Sequence, residues 1–392
     1  MRYISATQIF SGKEFFDKNT VLVIDDTNAI TDIILSDEID STRVEHFDGI
    51  ITPGFINTHC HLELSHLKNK IPQHTGIVDF GLSVMKHRED LEEGLQLELM
   101  QDADHLMQQQ GIVAVGDISN TPLSVHIKKK SKLYYHTFVE LISLNPERAT
   151  IVFEAGKILL NNFSYNGLSA SLAPHAPYSA SLPLIVLCTD YCYKNKKPTS
   201  IHNQESSAEN EFFQNKTGDY LRLYNTLNIP IDYFKAMQQS SLQTIITDLN
   251  ADVNTLLVHN TFTNKHDIEF AKLLHPHLFW CLCPNANLYI ENTLPDIQLL
   301  LEQKCNLTIG TDSLASNTNL SIVDEINTIL KHKPTIALEK LLSAATFNGA
   351  KFIGKENDLG LIEKNKNPGL NLITKTKGNF IVKTLVDINR RD

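Results

Sequence analysis

No stretch of the 392-residue chain approaches the roughly 20 apolar residues of a membrane-spanning helix, and no two of its six cysteines stand at C-x-x-C spacing. The start, Met1-Arg2-Tyr3-Ile4-Ser5-Ala6, runs into polar residues without the apolar core of a secretory signal. Basic residues are in deficit: 35 Lys and Arg against 45 Asp and Glu give a net charge of −10. That balance excludes a general binder of nucleic acid or of an anionic membrane surface. Cys60, Cys188, Cys192, Cys281, Cys283 and Cys305 read as reduced, packed thiols, and a cytoplasmic location is expected.

What is present is a chain long enough to bury a large core without disulfides. Residues 1–52 read as short strands, with apolar clusters such as Val21–Ile24 and Ile33–Leu35 broken by Asp, Asn and Ser. Leu359–Ile362 and Leu370–Ile373 have the same character, so residues 1–52 and 346–392 are expected to share one small β unit. Between them, over 53–345, short apolar runs alternate with amphipathic segments, the pattern of repeated βα units. Eight strands are predicted: Ile50–Asn57, Ile112–Ile118, Leu133–Leu141, Leu168–Leu172, Thr199–His202, Thr255–His259, Leu278–Leu282 and Leu307–Gly310. Eight such units fit a (β/α)8 TIM barrel, an α/β fold that typically takes about 250 residues. A helix is expected from about Val84 to Gln110, stopped at Gly111. The excursion 205–254, with Phe212, Phe213, Tyr220, Tyr224, Tyr233 and Phe234, reads either as a lid or as ordinary aromatic core.

Of the sixteen histidines, His46, His87, His105, His126, His275 and His332 sit in polar or loop-like contexts. Five others, His59, His61, His175, His202 and His259, fall at or just past the ends of predicted strands, where barrel enzymes place their chemistry. In the extended run Asn57-Thr58-His59-Cys60-His61 the two imidazoles project to the same side and can chelate one ion. His202 closes another strand and offers a third nitrogen. Glu205, three residues on, is placed to shuttle protons at a metal-bound water, or else is a helix-start carboxylate. His259 ends the sixth predicted strand. Asp312 ends the eighth, where a lone Asp is more often an N-cap but in this company reads as a fourth ligand and base. The set leaves an open metal position, the mark of a catalytic site.

These residues, with Pro53–His61, Ala173–Tyr178, His202–Glu205, Val258–Asn260, Cys283–Asn287 and Gly310–Asp312, closely resemble the amidohydrolase superfamily in its metal-dependent aminohydrolase branch. That branch holds cytosine, guanine and adenosine-type deaminases and the triazine chlorohydrolases. The resemblance spans essentially the whole chain and implies a barrel with a small composite β-sandwich domain from both termini. It implies that His59, His61, His202 and Asp312 bind one divalent metal, Zn2+ or alternatively Fe2+. Glu205 resembles the proton-transferring glutamate, His259 the histidine that orients hydroxide or polarises substrate, and His175 a residue contacting the heterocycle. Strand 4 offers no lysine of the kind that bridges two metals, so one metal is implied.

Hydrolytic deamination of an adenine-type nucleoside, with release of ammonia, is the implied reaction. His61-Leu62-Glu63-Leu64-Ser65 is similar to aminodeoxyfutalosine deaminases and compatible with adenosine, methylthioadenosine or S-adenosylhomocysteine deaminases. Glu63 reads as a ligand contact or as a structural carboxylate; Arg148 reads as a partner for a substrate carboxylate or as a solvated arginine. Asn285–Asn292 and the tail after Pro368 depart from the usual pattern of relatives. The alternatives are a chlorohydrolase or other amidine or amide C–N hydrolase on the same metal site, and a barrel kept only for binding. A small heterocyclic substrate and, by resemblance alone, a homodimer complete the expectation.

Overall fold

The computed structural model describes residues 1–388. Six strands form one mixed sheet: β1 (Arg2–Ile9), β2 (Thr20–Ile24), β3 (Ile30–Leu35) and β4 (Val44–Pro53) from the start of the chain, and two from its end. Eight more lie between: β5 (Phe55–Cys60), β6 (Ile112–Ser119), β7 (Tyr134–Leu141), β8 (Ser169–Pro174), β9 (Thr199–Asn203), β10 (Thr255–His259), β11 (Leu278–Leu282) and β12 (Asn306–Ile309). The closing pair is β13 (Leu370–Thr376) and β14 (Asn379–Val386). The mixed sheet runs β14-β13-β4-β1-β2-β3. Both termini therefore meet, as expected, but edge to edge across β4 in one continuous sheet instead of the two packed sheets of a sandwich. Leu359–Ile362 is not a strand; Gly360 turns at φ 79° and Ile362 N–H donates to Ser11 O.

The eight middle strands form two four-stranded parallel sheets, β5-β6-β7-β8 and β9-β10-β11-β12. Such strands, covered on both faces, are largely apolar, and every residue of β6 and β10 is buried. Contacts cross both seams. Cys60 bridges Asp312 in parallel register, and His202 N–H donates to His175 O at 2.9 Å. The helix Phe347–Phe352 packs against β5 and β12, with Phe352 stacked on Phe138 at 5.8 Å.

Two predicted elements are divided. The first predicted strand, Ile50–Asn57, breaks at Gly54: Ile50–Pro53 stays in the mixed sheet and Phe55 begins β5. A Cβ at Gly54 would stand 2.2 Å from Val113 Cγ1 and 2.9 Å from Pro368 O, so glycine is required where the two units touch. The long helix is two, Gly76–His87 and Glu93–Gln109, interrupted over 88–92. Gly111, at φ 71°, ends the second as its sequence position implied.

The excursion after β9 forms three short helices, Ser207–Asn215, Tyr220–Thr226 and Ser241–Ile246. Phe212, Phe213, Tyr220 and Tyr224 pack into their own cluster with Val78, Leu144, Ala176 and Tyr178. Each such side chain contributes about 1.5–3 kcal/mol on burial. These four aromatic residues are thus core and form a wall behind Tyr178, while Phe234 is half-buried and Tyr233 is exposed. No helix among the described residues is long and apolar enough to cross a membrane.

One buried ion pair ties this scaffold to the loop after β5. Lys128 Nζ lies 2.6 Å from Asp117 Oδ2 with both side chains fully buried, and Asp117 Oδ1 accepts Leu62 N–H at 2.8 Å. Lys128→Met should lower stability by about 3–5 kcal/mol, because an uncompensated buried carboxylate remains. Chemical denaturation measures it, and a loss below about 1 kcal/mol would mean that the pair is dispensable.

Candidate metal centre

Strand alternation and strand ends assemble the cluster. His59 projects from β5 and His61 follows it. Their Nε2 atoms are 3.1 Å apart, and they lie 3.5 Å and 3.3 Å from Asp312 Oδ1. The His202 ring, from β9, is centred 4.9 Å from that of His59 and 5.6 Å from that of His61. Ligand atoms of His59, His61 and His202 all fall within 4.8 Å of one another. Donors about 2.0–2.2 Å from a tetrahedral zinc stand roughly 3.3–3.5 Å apart, so the spacing fits one ion. His202 Nδ1 faces His175 O at 2.7 Å, which fixes the N–H there and leaves Nε2 as a lone-pair donor. Burial holds His61 down to about 4 and His202 well below the ordinary imidazole range, so both rings are neutral, as ligands must be. For Asp312 burial pushes upward, but the hydrogen bond to His59 and the electrostatic interaction with the His61 and His259 imidazoles outweigh it and hold its pKa well below the usual carboxylate range. Ser316 Oγ–H donates to its other oxygen at 2.6 Å.

Beside the cluster sits Glu205. Burial, reinforced by Asp312, Glu291 and Glu140, pushes its pKa up to about 8 against the hydrogen bond from Tyr178. It is therefore a neutral acid at pH 7, able to give a proton and take it back. Tyr178 Oη–H donates to Glu205 Oε1, and His259 Nε2 lies 3.6 Å from Oε2. His259 Nδ1 in turn meets Asn287 Oδ1 at 3.3 Å. Gln204, His259, Asn260 and Asp312 all adopt positive φ, between 43° and 74°, the left-handed region that non-glycine residues enter at a cost. The strain is held by bonds around it. Glu209, fully buried, accepts the backbone N–H groups of Gln204 and Glu205, each at 3.1 Å.

His175 joins the cluster, 4.7 Å from the His202 ring, with Nδ1 against Ser179 Oγ. Glu63 is buried nearby, but its carboxylate is committed: Oε1 accepts Thr121 N–H and Oγ1–H, and Oε2 accepts Asn120 N–H. Arg148 is not brought in; it is exposed, at the start of the helix Ala149–Tyr165. The guanidinium on this side is that of Arg88, 3.5 Å from Glu63 Oε2 and 2.8 Å from Asn120 Oδ1. Sequence reasoning missed Arg88 and Asn120, and also Tyr178, Glu209 and Glu140 as functional groups. Glu140 left one signal, an acidic residue ending the apolar run Phe138-Val139. A cavity of about 460 Å3 opens elsewhere, at the starts of β7 and β8 beside Tyr134 and Ser169, and holds none of these groups.

Neutral imidazoles and a carboxylate at the ends of parallel strands, beside a protonated glutamate, define a metal-dependent hydrolase acting on C–N bonds. The chain belongs to the amidohydrolase family, whose model matches residues 50–387. It is 29% identical over 330 residues to an adenosine deaminase of Helicobacter pylori, covering 83% of this chain and 79% of that protein. The crystal structure of Helicobacter pylori aminofutalosine deaminase in complex with methylthio-coformycin superposes with a TM-score of 0.81 at 23% identity, over 100% of both chains. An atrazine chlorohydrolase of Arthrobacter aurescens complexed with zinc follows the same fold, at TM-score 0.74 and 15% identity over 95% of this chain and 86% of that one.

His59→Ala should abolish binding of one zinc per chain, measured by elemental analysis after dialysis; full occupancy would remove His59 from the ligand set. The buried acids also set a pH dependence. Glu205, Glu209 and Glu325 are each raised to about 8, chiefly by burial. The folded state then keeps protons that the unfolded chain releases from about pH 4.5 upward, so stability falls as pH rises through the window up to about 8. Buried imidazoles such as His61 and His275, both lowered to about 4, act oppositely below about pH 6.5. The melting temperature of chelator-treated protein should therefore decline between about pH 7 and 9, and a rise over that range would contradict the protonated assignment.

Proposed function

We propose that the protein is a mononuclear zinc aminohydrolase that deaminates an adenine-type nucleoside with release of ammonia. The observation that carries this reading is the buried Glu205, held by Tyr178 and beside His259, at the edge of the His59–His61–His202–Asp312 cluster. The relatives named above, an adenosine deaminase and an aminofutalosine deaminase, support the substrate class. A divalent ion held by the four donors would supply a Lewis acid and an acidified water.

The protein's own groups do the rest. Asp312 Oδ1 takes the proton of the attacking water. Glu205 delivers its proton to the ring nitrogen beside the carbon that carries the amine, which raises that carbon's electrophilicity. His259 Nε2 holds the nucleophile in line, and Asn287 fixes the His259 ring. The proton on Asp312 passes to the amine, which leaves as ammonia; the ring keeps the water oxygen as a carbonyl, and the remaining proton of that oxygen returns to Glu205. His175 lines the heterocycle. Glu63 shapes the same wall through Asn120 and Thr121.

The same reading includes closure of β5–β12 into a (β/α)8 barrel, supported by the contacts across both seams. It divides the chain into a catalytic unit, 53–345, and a composite unit of 1–52 with 346–392 that lends the helix Phe347–Phe352 to the barrel. A cytoplasmic homodimer completes it, with the location supported by six free cysteines. Hydrolysis of a different leaving group is the second reading, favoured by the likeness to the chlorohydrolase.

Ammonia release by zinc-loaded protein, across adenosine, methylthioadenosine, S-adenosylhomocysteine, aminodeoxyfutalosine, cytosine and guanine, tests the proposal. Turnover of an adenine nucleoside, abolished by a chelator, is the expected result. Silence across the panel with one zinc per chain would favour another leaving group. Glu205→Gln should keep zinc and fold and lose about 10²–10⁴-fold in turnover; near-wild-type activity would take Glu205 out of proton transfer.

A further inference from the structure

Glu140, on β7, has no role in the mechanism above, yet it is one of the most constrained groups in the site. Its side chain is 4% exposed. Oε2 accepts Asn120 Nδ2–H at 3.0 Å, and Asn120 is itself held by Arg88 at 2.8 Å, so the carboxylate cannot turn away. Oε1 is buried, has no hydrogen-bond partner, and points to the histidines, 3.9 Å from His202 Nδ1. That nitrogen cannot serve it, because its N–H is directed at His175 O.

Glu140, His175 and His202 have the spacing of a cation site, but His202 already belongs to the His59–His61–His202 group, and its Nδ1 is directed at His175 O. A buried carboxylate oxygen with its partner fixed on one side and open on the other is built for a donor that arrives with the ligand. Glu63, with both oxygens already occupied, is not such a group.

We propose that Glu140 Oε1 accepts a hydrogen bond from a sugar hydroxyl of the nucleoside and so selects ribosides over the free base. This rests on the deaminase reading. The chemistry of the ligand then narrows the donor. An adenine nucleoside carries hydrogen-bond donors on the exocyclic amine and on the sugar hydroxyls, while its ring nitrogens are acceptors. The amine must sit at the metal, beside Glu205 and Asp312, which leaves the hydroxyls for Glu140.

The test compares kcat/KM of the zinc-loaded full chain for adenosine and its 2′-, 3′- and 5′-deoxy forms. One deoxy form should lose about 10–100-fold, mainly in KM, the range for a hydrogen bond to a charged group. In Glu140→Ala and Glu140→Gln that gap should close to within about threefold. Zinc content and melting temperature are measured alongside.

If wild type treats all four nucleosides alike, the assignment fails without reference to any variant, even where Glu140→Ala does not fold. If the gap persists in a folded, zinc-loaded Glu140 variant, another residue reads the hydroxyl and the assignment again fails. If no adenine nucleoside is turned over, the deaminase reading fails and takes the assignment with it.

Discussion

The contact on which the rest depends is the seam between β5 and β12. Thr311 and Asp312 both donate backbone N–H groups to His59 O at 3.0 Å, and Asn57 exchanges two further hydrogen bonds with Thr311. Thr58 reaches across to Thr308 and to Ile309 O. These bonds join residues some 250 positions apart in the chain, and they bring His59, His61 and Asp312 together. Without them His59 and Asp312 would each be an ordinary strand-end side chain. With them, imidazole nitrogens and a carboxylate oxygen face one another at the separations one small cation imposes.

A second constraint is electrostatic. Glu205, Glu209 and Glu325 are buried acids in a protein that is already negatively charged. Each is protected differently. Glu205 has Tyr178, Glu209 has two backbone amides, and Glu325 accepts from Asn285 and Asn317 while Asn317 also holds Thr311 O. Glu209 and Glu325 thus brace the backbone at Glu205 and at Asp312. Glu205 and Asp312 are positioned by two further buried acids.

Much of the site was legible in the sequence because strand alternation is a strict rule. His59 and His61 had to share a face once the segment was extended, and His202, His259 and Asp312 each ended an apolar run. What escaped notice had little local signature. Glu140 stands one residue before the end of β7, marked only by the apolar run before it, and its meaning lies in the side chain of Asn120, twenty residues earlier. Arg88 lies in what reads as the start of one amphipathic helix, since the 88–92 break has no proline or glycine to mark it. Arg148 drew notice as a cation in a loop after a strand, but the loop runs outward into a helix. The division of the first predicted strand at Gly54 was hidden because both halves are apolar and extended, and only the closeness of Val113 and Pro368 O reveals that they belong to different sheets.

That single glycine also bears on how the chain tolerates length change. It is the whole connection between β4 and β5, and His59 lies five residues beyond it. Side chains in a strand swap faces with every residue of slippage. An insertion or deletion of one residue here could not be absorbed by a loop, since there is none. It would turn Thr58 and Cys60 toward the cluster and carry both imidazoles into the packing behind the sheet. In most enzymes the boundary between two structural units is where lengths vary freely; here it acts as the ruler for the metal centre.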